Sequence, residues 1–161
     1  MVRAVMLMLG PLLVELADDF DTSIAVAGQL AAAFFITWGI TAPLVGPISD
    51  TYGRRPVLLI GLLLMALGVL GSGMAWSYGS LLATRLITGV GAAMVPPTMM
   101  TVLADNLPSD KVGKSVGFIT GSSWVGVALG VPAIALLGYI GGWRLPFYIA
   151  GGMSLAIWVL L

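Results

Sequence analysis

The sequence predicts an all-α protein whose helices cross a membrane several times. Of its 161 residues, 59% are hydrophobic and 9% are charged, whereas a soluble domain carries about 25% charged residues. Apolar segments follow one another along the whole chain, and a helix needs about 20 apolar residues to cross the hydrocarbon core. We therefore expect a bundle of six transmembrane helices, at approximately residues 1–17, 24–45, 57–75, 81–103, 116–137 and 145–161.

The composition excludes several classes of function. The formal net charge is zero and no basic stripe is present, which argues against nucleic acid as a partner. Because the chain has no Cys and no His, disulfides, imidazole relays and nearly every transition-metal site are ruled out. We expect no enzyme activity, no catalytic residue, no metal and no organic cofactor.

The first apolar segment allows two interpretations. The run from Ala4 to Val14 is too short to cross a bilayer and has Arg3 just ahead of it, as in a signal peptide. Alternatively, it is the second half of a transmembrane helix. Acidic residues follow this run closely, so a signal-peptidase site of small residues is poorly formed. This favours the truncated helix. The chain is then expected to be a fragment that lacks residues before Met1.

The remaining segments carry the features of packed transmembrane helices. Small residues in the span 24–45 allow close helix approach, and the span 57–75 is followed by the interfacial aromatics Trp76 and Tyr78. The span 81–103 contains a Pro-Pro pair, and the span 116–137 is the richest in Gly. The chain ends within the span 145–161, so a second six-helix half is expected after Leu161.

Basic residues predict the orientation of the bundle. Arg54 and Arg55 follow the second span, and Lys111 and Lys114 follow the fourth, whereas only Arg144 lies on the opposite side. Positive residues concentrate in cytoplasmic loops. We therefore expect a multi-pass protein of the plasma membrane, with loops 52–56 and 106–115 in the cytoplasm.

A short charged motif joins the second and third spans. Gly46, Asp50, Gly53, Arg54 and Arg55 lie within one connection of an otherwise weakly charged chain. Arg54 and Arg55 alone would fit a simple cytoplasmic anchor. Asp50 would not, because the helix dipole disfavours a carboxylate near the C-terminus of its own helix. It needs a positive partner.

This motif resembles the loop between the second and third helices of the major facilitator superfamily of secondary transporters. The match covers all five positions, and it departs at Thr51, where the family usually carries a basic residue. The resemblance implies the N-terminal six-helix half of a transporter. It also implies that Asp50 pairs with the arginines and with a helix end of the second half, which locks one state of the transport cycle.

Arg85 is a charge inside a predicted span, where charges are costly and usually mark a cavity. The alternative is that it snorkels to the nearby outer interface. The surrounding sequence, including Gly89 and Gly91, resembles the family's fourth-helix motif. In that motif the Arg serves in proton coupling or substrate binding. Glu15 is a candidate proton site at a similar depth, or else a solvated residue of the outer loop.

The glycines of the fifth span suggest a direction of transport. Gly117, Gly121, Gly126 and Gly130 form small-xxx-small steps that favour helix packing, and Pro132 removes a backbone hydrogen bond. The pattern resembles the family's antiporter motif, although Pro132 comes one residue late and the closing Gly pair is missing. The resemblance implies an exporter.

The function that we expect is proton-coupled export of small molecules by alternating access. The partners would be the lipid bilayer, a small-molecule substrate and the second six-helix half, and the coupling ion would be H⁺. Two alternatives stay open. One is a membrane-embedded receptor or assembly subunit of the same fold without transport, and the other is a half-size transporter that acts as a dimer.

Overall fold

The structure, a computed structural model, describes residues 2–161, and within this range it contains helices and no strand. The all-α fold class predicted from the sequence is therefore confirmed. We number the helices in chain order: α1 Val2–Leu7, α2 Leu13–Asp19, α3 Ile24–Tyr52, α4 Arg54–Gly73, α5 Tyr78–Asn106, α6 Ser109–Gly141 and α7 Arg144–Leu160.

The first predicted span, 1–17, is not one continuous helix. A 3-10 turn at Gly10–Leu12 separates α1 from α2, and Pro11 lies in this turn. Proline lacks a backbone N–H and its ring clashes with the preceding helical turn. Next to the flexible Gly10, this ends α1 and starts a new helix.

Among residues 2–161, four helices are long and apolar enough to cross a membrane, namely α3, α4, α5 and most of α6. The apolar α7 has 17 residues and is shorter than these. A helix of 29 residues such as α3 or α5 is about 44 Å long, whereas the hydrocarbon core is about 30 Å thick. The ends of these helices therefore extend beyond the apolar layer.

The helices also run past the predicted ends of the spans. Helix α3 continues from residue 45 to Tyr52, so that Gly53 alone separates it from α4. Likewise, α5 continues to Asn106 and α6 begins at Ser109. The predicted loops 52–56 and 106–115 are therefore mostly helical. Hydropathy falls where charged residues begin, but backbone hydrogen bonding continues beyond that point.

Helix α3 runs without interruption through Pro43 and Pro47. Hydroxyl groups bond to carbonyls in this region: Ser49 Oγ donates to the Gly46 carbonyl at 2.9 Å, and Thr51 Oγ1 donates to the Pro47 carbonyl at 2.9 Å. Neither bond reaches the Gly39 or Pro43 carbonyl, the groups that the missing N–H of Pro43 and of Pro47 leaves without a backbone donor. Because α3 nevertheless continues to Tyr52, Asp50 lies in the last turn of a helix.

Helix α5 packs closely against both α4 and α3 through glycines. A Cβ atom on Gly91 would lie 2.7 Å from the Gly61 carbonyl oxygen of α4, and one on Gly89 would lie 2.6 Å from the Phe34 carbonyl oxygen of α3. Neither contact could be relieved by a side-chain movement, because both involve backbone atoms. The absence of a Cβ at these positions sets the distance between the helices.

Contacts at the two ends of the bundle fix the up-and-down order of the helices. At one end Arg54, the first residue of α4, pairs with Asp105 near the end of α5. At the opposite end Arg144 Nη2 donates to the Ala75 carbonyl at 3.1 Å, and Trp143 Nε1 donates to Asp19 Oδ2 at 2.9 Å. We call the first of these the basic end, defined by Arg54, Arg55 and Asp105.

Candidate functional site

The basic end is organised around the one-residue connection between α3 and α4. Gly53 has φ 88° and ψ 152°, a conformation that residues with a Cβ rarely adopt. It turns the chain so sharply that Asp50 in the last turn of α3 and Arg54 in the first turn of α4 face each other. Arg54 Nη2 lies 3.7 Å from Asp50 Oδ1.

Arg54 bridges two carboxylates that come from different helices. Its second terminal nitrogen pairs directly with Asp105 Oδ2, and this contact is closer than the one to Asp50. Arg54 therefore ties α3, α4 and α5 together. Arg55 extends the contacts to α7, because its Nη2 donates to the Leu161 carbonyl at 3.0 Å.

Asp105 is a site residue that the sequence analysis did not identify. It lies between the predicted span 81–103 and the predicted loop 106–115. The available signal was length: if α5 continues past residue 103, Asp105 lies at its C-terminus. A carboxylate there needs a cationic partner for the same dipole reason as Asp50.

Arg85 lies in the interior of the bundle and is completely buried. Its Nε and Nη2 atoms donate to Ser72 Oγ of α4 at 3.2 and 2.5 Å. On another side its guanidinium carbon stands 5.0 Å from the ring centroid of Phe147 in α7, a cation–π arrangement. A snorkelling Arg would reach the interface with an exposed tip. The Arg85 side chain does not.

The partner of Arg85 is itself held by neighbouring groups. Ser72 Oγ lies 2.7 Å from the Gly68 carbonyl oxygen and 2.8 Å from Thr84 Oγ1. The bonded network thus crosses between α4 and α5 and fixes the orientation of Ser72. One nitrogen of Arg85, Nη1, is buried and has no hydrogen-bond partner, so the guanidinium keeps one donor free for another group.

The structure does not bring Glu15 to Arg85, since no ion pair joins them among residues 2–161. Glu15 lies in α2 and faces α6. If Gly138 of α6 carried a Cβ atom, that atom would lie 3.5 and 3.6 Å from the two carboxylate oxygens of Glu15. Oε2 is buried and has no hydrogen-bond partner. Glu15 is therefore not a solvated loop residue.

Most of the predicted packing glycines of α6 have no packing partner in the described part of the chain. A Cβ atom on Gly117, Gly121 or Gly126 would meet no heavy atom within 4 Å, whereas one on Gly130 would meet Ala4 of α1 at 3.4 Å. Helix α6 continues through Pro132, which is exposed.

Arg3, which flanks the first apolar run in the sequence, is half-buried in α1. Its guanidinium carbon stands 4.5 Å from the ring centroid of Trp124 in α6. Nothing in the sequence indicated this contact between two helices. Contact with a residue more than a hundred positions away leaves no local signal that could have revealed Arg3.

The known proteins similar to this chain decide its family. A family model described as the Major Facilitator Superfamily matches residues 1–161, the entire sequence. The chain belongs to this superfamily. Its helical bundle is the corresponding partial fold, and the protein is embedded in a membrane.

Relatives within the superfamily include proteins of bacteria. The chloramphenicol resistance protein of Streptomyces lividans is 32% identical over 142 residues, which cover 88% of this chain and 36% of that protein. The quinolone resistance protein NorA of Staphylococcus aureus is 28% identical over 150 residues, with coverages of 93% and 38%. The uncharacterized MFS-type transporter YwfA of Bacillus subtilis is 30% identical over 143 residues, with coverages of 89% and 35%. The chain spans less than two fifths of the length of these relatives.

Proposed function

We propose that this superfamily member forms one six-helix half of a secondary transporter that exports small molecules. The second half would be a unit of the same kind, and the two would enclose a substrate cavity near the middle of the membrane. Export would proceed by alternating access and would be driven by protons. The bilayer would be the plasma membrane, with the basic end in the cytoplasm.

This proposal rests on the kind of relatives that align along nearly the whole chain. Two of them are named as resistance proteins, one for chloramphenicol and one for quinolones. A membrane transporter confers resistance to a compound most directly by moving it out of the cell. We extend this direction of transport to the present protein.

The basic end supports a role in switching between states. Arg54 holds Asp50 and Asp105 together across three helices, and all three side chains are partly exposed. Exposed ion pairs contribute little each, about 0–1 kcal/mol. The cluster can therefore form and break during a cycle without unfolding the bundle, and a ligand that favours either state can shift the balance.

The buried polar groups support the coupling proposal. Glu15 has a buried carboxylate oxygen without a partner, and Arg85 has a buried nitrogen without one. Ionisable residues within membrane helices usually mark substrate or proton pathways. We assign Glu15 to proton binding and Arg85 to the substrate or to a proton-carrying carboxylate of the second half.

The test is flux in proteoliposomes that contain the full-length protein, with chloramphenicol as the first substrate. We expect saturable movement that follows an imposed pH gradient and stops when a protonophore dissipates it. Absence of saturable flux for a panel of small apolar compounds would favour the receptor or assembly subunit.

Glu15→Gln tests the coupling step separately. We expect flux that no longer responds to the pH gradient, because the Gln amide cannot bind and release a proton as a carboxylate does. The matched control is Asp18→Asn, which removes a carboxylate exposed to solvent in the same short helix. An unchanged pH response in Glu15→Gln would remove Glu15 from the mechanism.

A further inference from the structure

Arg3 is a half-buried cation to which the proposed transport cycle has so far assigned no role. Its guanidinium stacks on Trp124, which lies close to the middle of the 33-residue helix α6. With a rise of 1.5 Å per residue, the middle of such a helix is about 25 Å from either end. The stacked pair therefore places the guanidinium against the central part of α6.

The positive charge of Arg3 is not neutralised by the described residues. Arginine ion pairs among residues 2–161 involve Arg54 and Arg144 and not Arg3. Its Nη1 atom is buried and has no hydrogen-bond partner. Stacking on an indole ring recovers only part of the cost of a charge between transmembrane helices, so the geometry leaves a donor that an anion would satisfy.

An apolar cavity of about 260 Å³ opens beside this donor. Met65, Met99 and Met100 are among its lining residues, and so is Arg3 itself. Methionine side chains are flexible and polarisable, and they adapt well to varied apolar ligands. The cavity thus offers an apolar wall and one cationic wall.

Two hydroxyl groups of α6, those of Thr120 and Ser123, complete the polar side of the cavity. Ser123 Oγ donates to the Ile119 carbonyl at 2.7 Å, so its remaining capacity is to accept a bond. The volume is just below the lower limit of about 300 Å³ for pockets that hold drug-sized ligands. The occupant must therefore be a compact molecule.

We propose that the cavity lined by α1, α4, α5, α6 and α7 is a binding subsite for a compact apolar molecule that carries one carboxylate, with Arg3 as the group that binds the carboxylate. This rests on the proposed transport function, because it defines a substrate class for the same protein. The apolar body would lie against the methionines, and the carboxylate would accept the free N–H of Nη1.

The experiment measures equilibrium binding of two probes to the full-length protein in nanodiscs of zwitterionic lipid. The probes are 1-naphthoate and its neutral amide, 1-naphthamide, which have nearly the same shape and differ in charge. We expect wild type to bind the acid at least about tenfold more tightly than the amide, since a charged hydrogen bond in a buried site is among the strongest in proteins.

Substitutions of Arg3 identify the group responsible. In Arg3→Gln the preference for the acid should disappear while the amide still binds, which shows that the cavity is intact. Arg3→Lys should keep part of the preference, because it keeps the charge but loses the planar stacking on Trp124. Lys114→Gln removes one positive charge from an exposed position of α6 and should leave both affinities unchanged.

Equal affinities of wild type for the two probes would overturn the proposal, as would a preference that persists in Arg3→Gln or failure of both probes to bind. A different result would contradict the transport proposal and leave the binding subsite intact. A protein that binds the acid through Arg3 but moves no substrate across the membrane would keep this subsite and contradict export.

Discussion

Helices α5 and α6 both contain pairs of glycines, but the two pairs have different surroundings. A Cβ atom on Gly91 of α5 would lie 2.7 Å from a backbone oxygen of α4, whereas one on Gly117 or Gly121 of α6 would find nothing within 4 Å. The same difference extends beyond the glycines. In the most apolar stretch of each helix, 44% of the residues are buried in α5 and 6% are buried in α6.

The comparison teaches that a small-residue motif does not reveal where its partner is. In α5 the glycines let the backbones of α3, α4 and α5 approach, so they stabilise the fold of this chain. In α6 the glycines Gly117, Gly121 and Gly126 contribute nothing to the packing of the described residues, and Gly130 meets α1 only at an ordinary contact distance. The glycine-rich face of α6 is available to another surface, such as lipid or the second half that we propose.

The largest effect is expected from Gly91→Ala. The added methyl group would collide with the backbone of α4, and such overpacking costs about 1–3 kcal/mol. Thermal unfolding of the purified protein should show a clearly lowered midpoint. Gly121→Ala is the matched control and should not lower it. A wild-type midpoint for Gly91→Ala would show that the contact between α4 and α5 is not a tight one.

The second prediction concerns Arg85, which is bonded across the same tightly packed pair of helices. Arg85→Ala should reduce substrate flux by about 10- to 100-fold, because hydrogen bonds to charged groups are worth about 1.5–3 kcal/mol. Arg85→Lys should also lose much of the activity, since Lys lacks the planar fork of donors.

Both Arg85 variants should insert into the membrane normally, which immunoblots of washed membranes would establish before flux is measured. Full activity of Arg85→Lys would contradict the role assigned to the guanidinium geometry, and a point charge at this position would then be sufficient.

A smaller, several-fold loss of flux is expected from neutralising the carboxylates at the basic end. Asp105→Asn should slow transport more than Asp50→Asn, because Arg54 lies closer to Asp105 than to Asp50. Flux per inserted molecule is the measurement. High salt should reduce the difference between wild type and both variants, since exposed ion pairs are screened. The reverse order of effects would make Asp50 the main partner of Arg54.

The smallest effect on stability is expected from Gly121→Leu. The side chain would enter open space, so unfolding of the six-helix unit should change by no more than about 0.5 kcal/mol. If the face of α6 contacts the second half of the transporter, flux should nevertheless fall. Lowered stability without lowered flux would contradict the difference between α5 and α6.

The fold class, the order of the helices and the family could all be predicted from the sequence. Hydrophobic runs and the motif around Asp50 carry this information locally. The ends of the helices could not be predicted, because hydropathy marks where a helix leaves the apolar layer and not where the helix stops. For this reason the predicted span ends at residue 45, although α3 continues to Tyr52 and contains Asp50 in its last turn.

The candidate site was predictable only where a residue stood out from its neighbours. Arg85 is a charge within an apolar run, so its position in the interior could be anticipated. The placement of Arg3 depends on its contact with Trp124, and that of Asp105 on its contact with Arg54. Both contacts join residues that are distant in sequence, and no pattern along the chain records them.

The connection at Gly53 has a practical consequence for experiments on this protein. With one residue between Tyr52 and Arg54, the chain has no slack there, and an inserted tag or protease site would separate the two helix ends that Arg54 and Asp50 join. The segment between α2 and α3, residues 20–23, is longer and lies at the opposite end. A reporter of membrane topology belongs in that segment, where it would leave the basic end undisturbed.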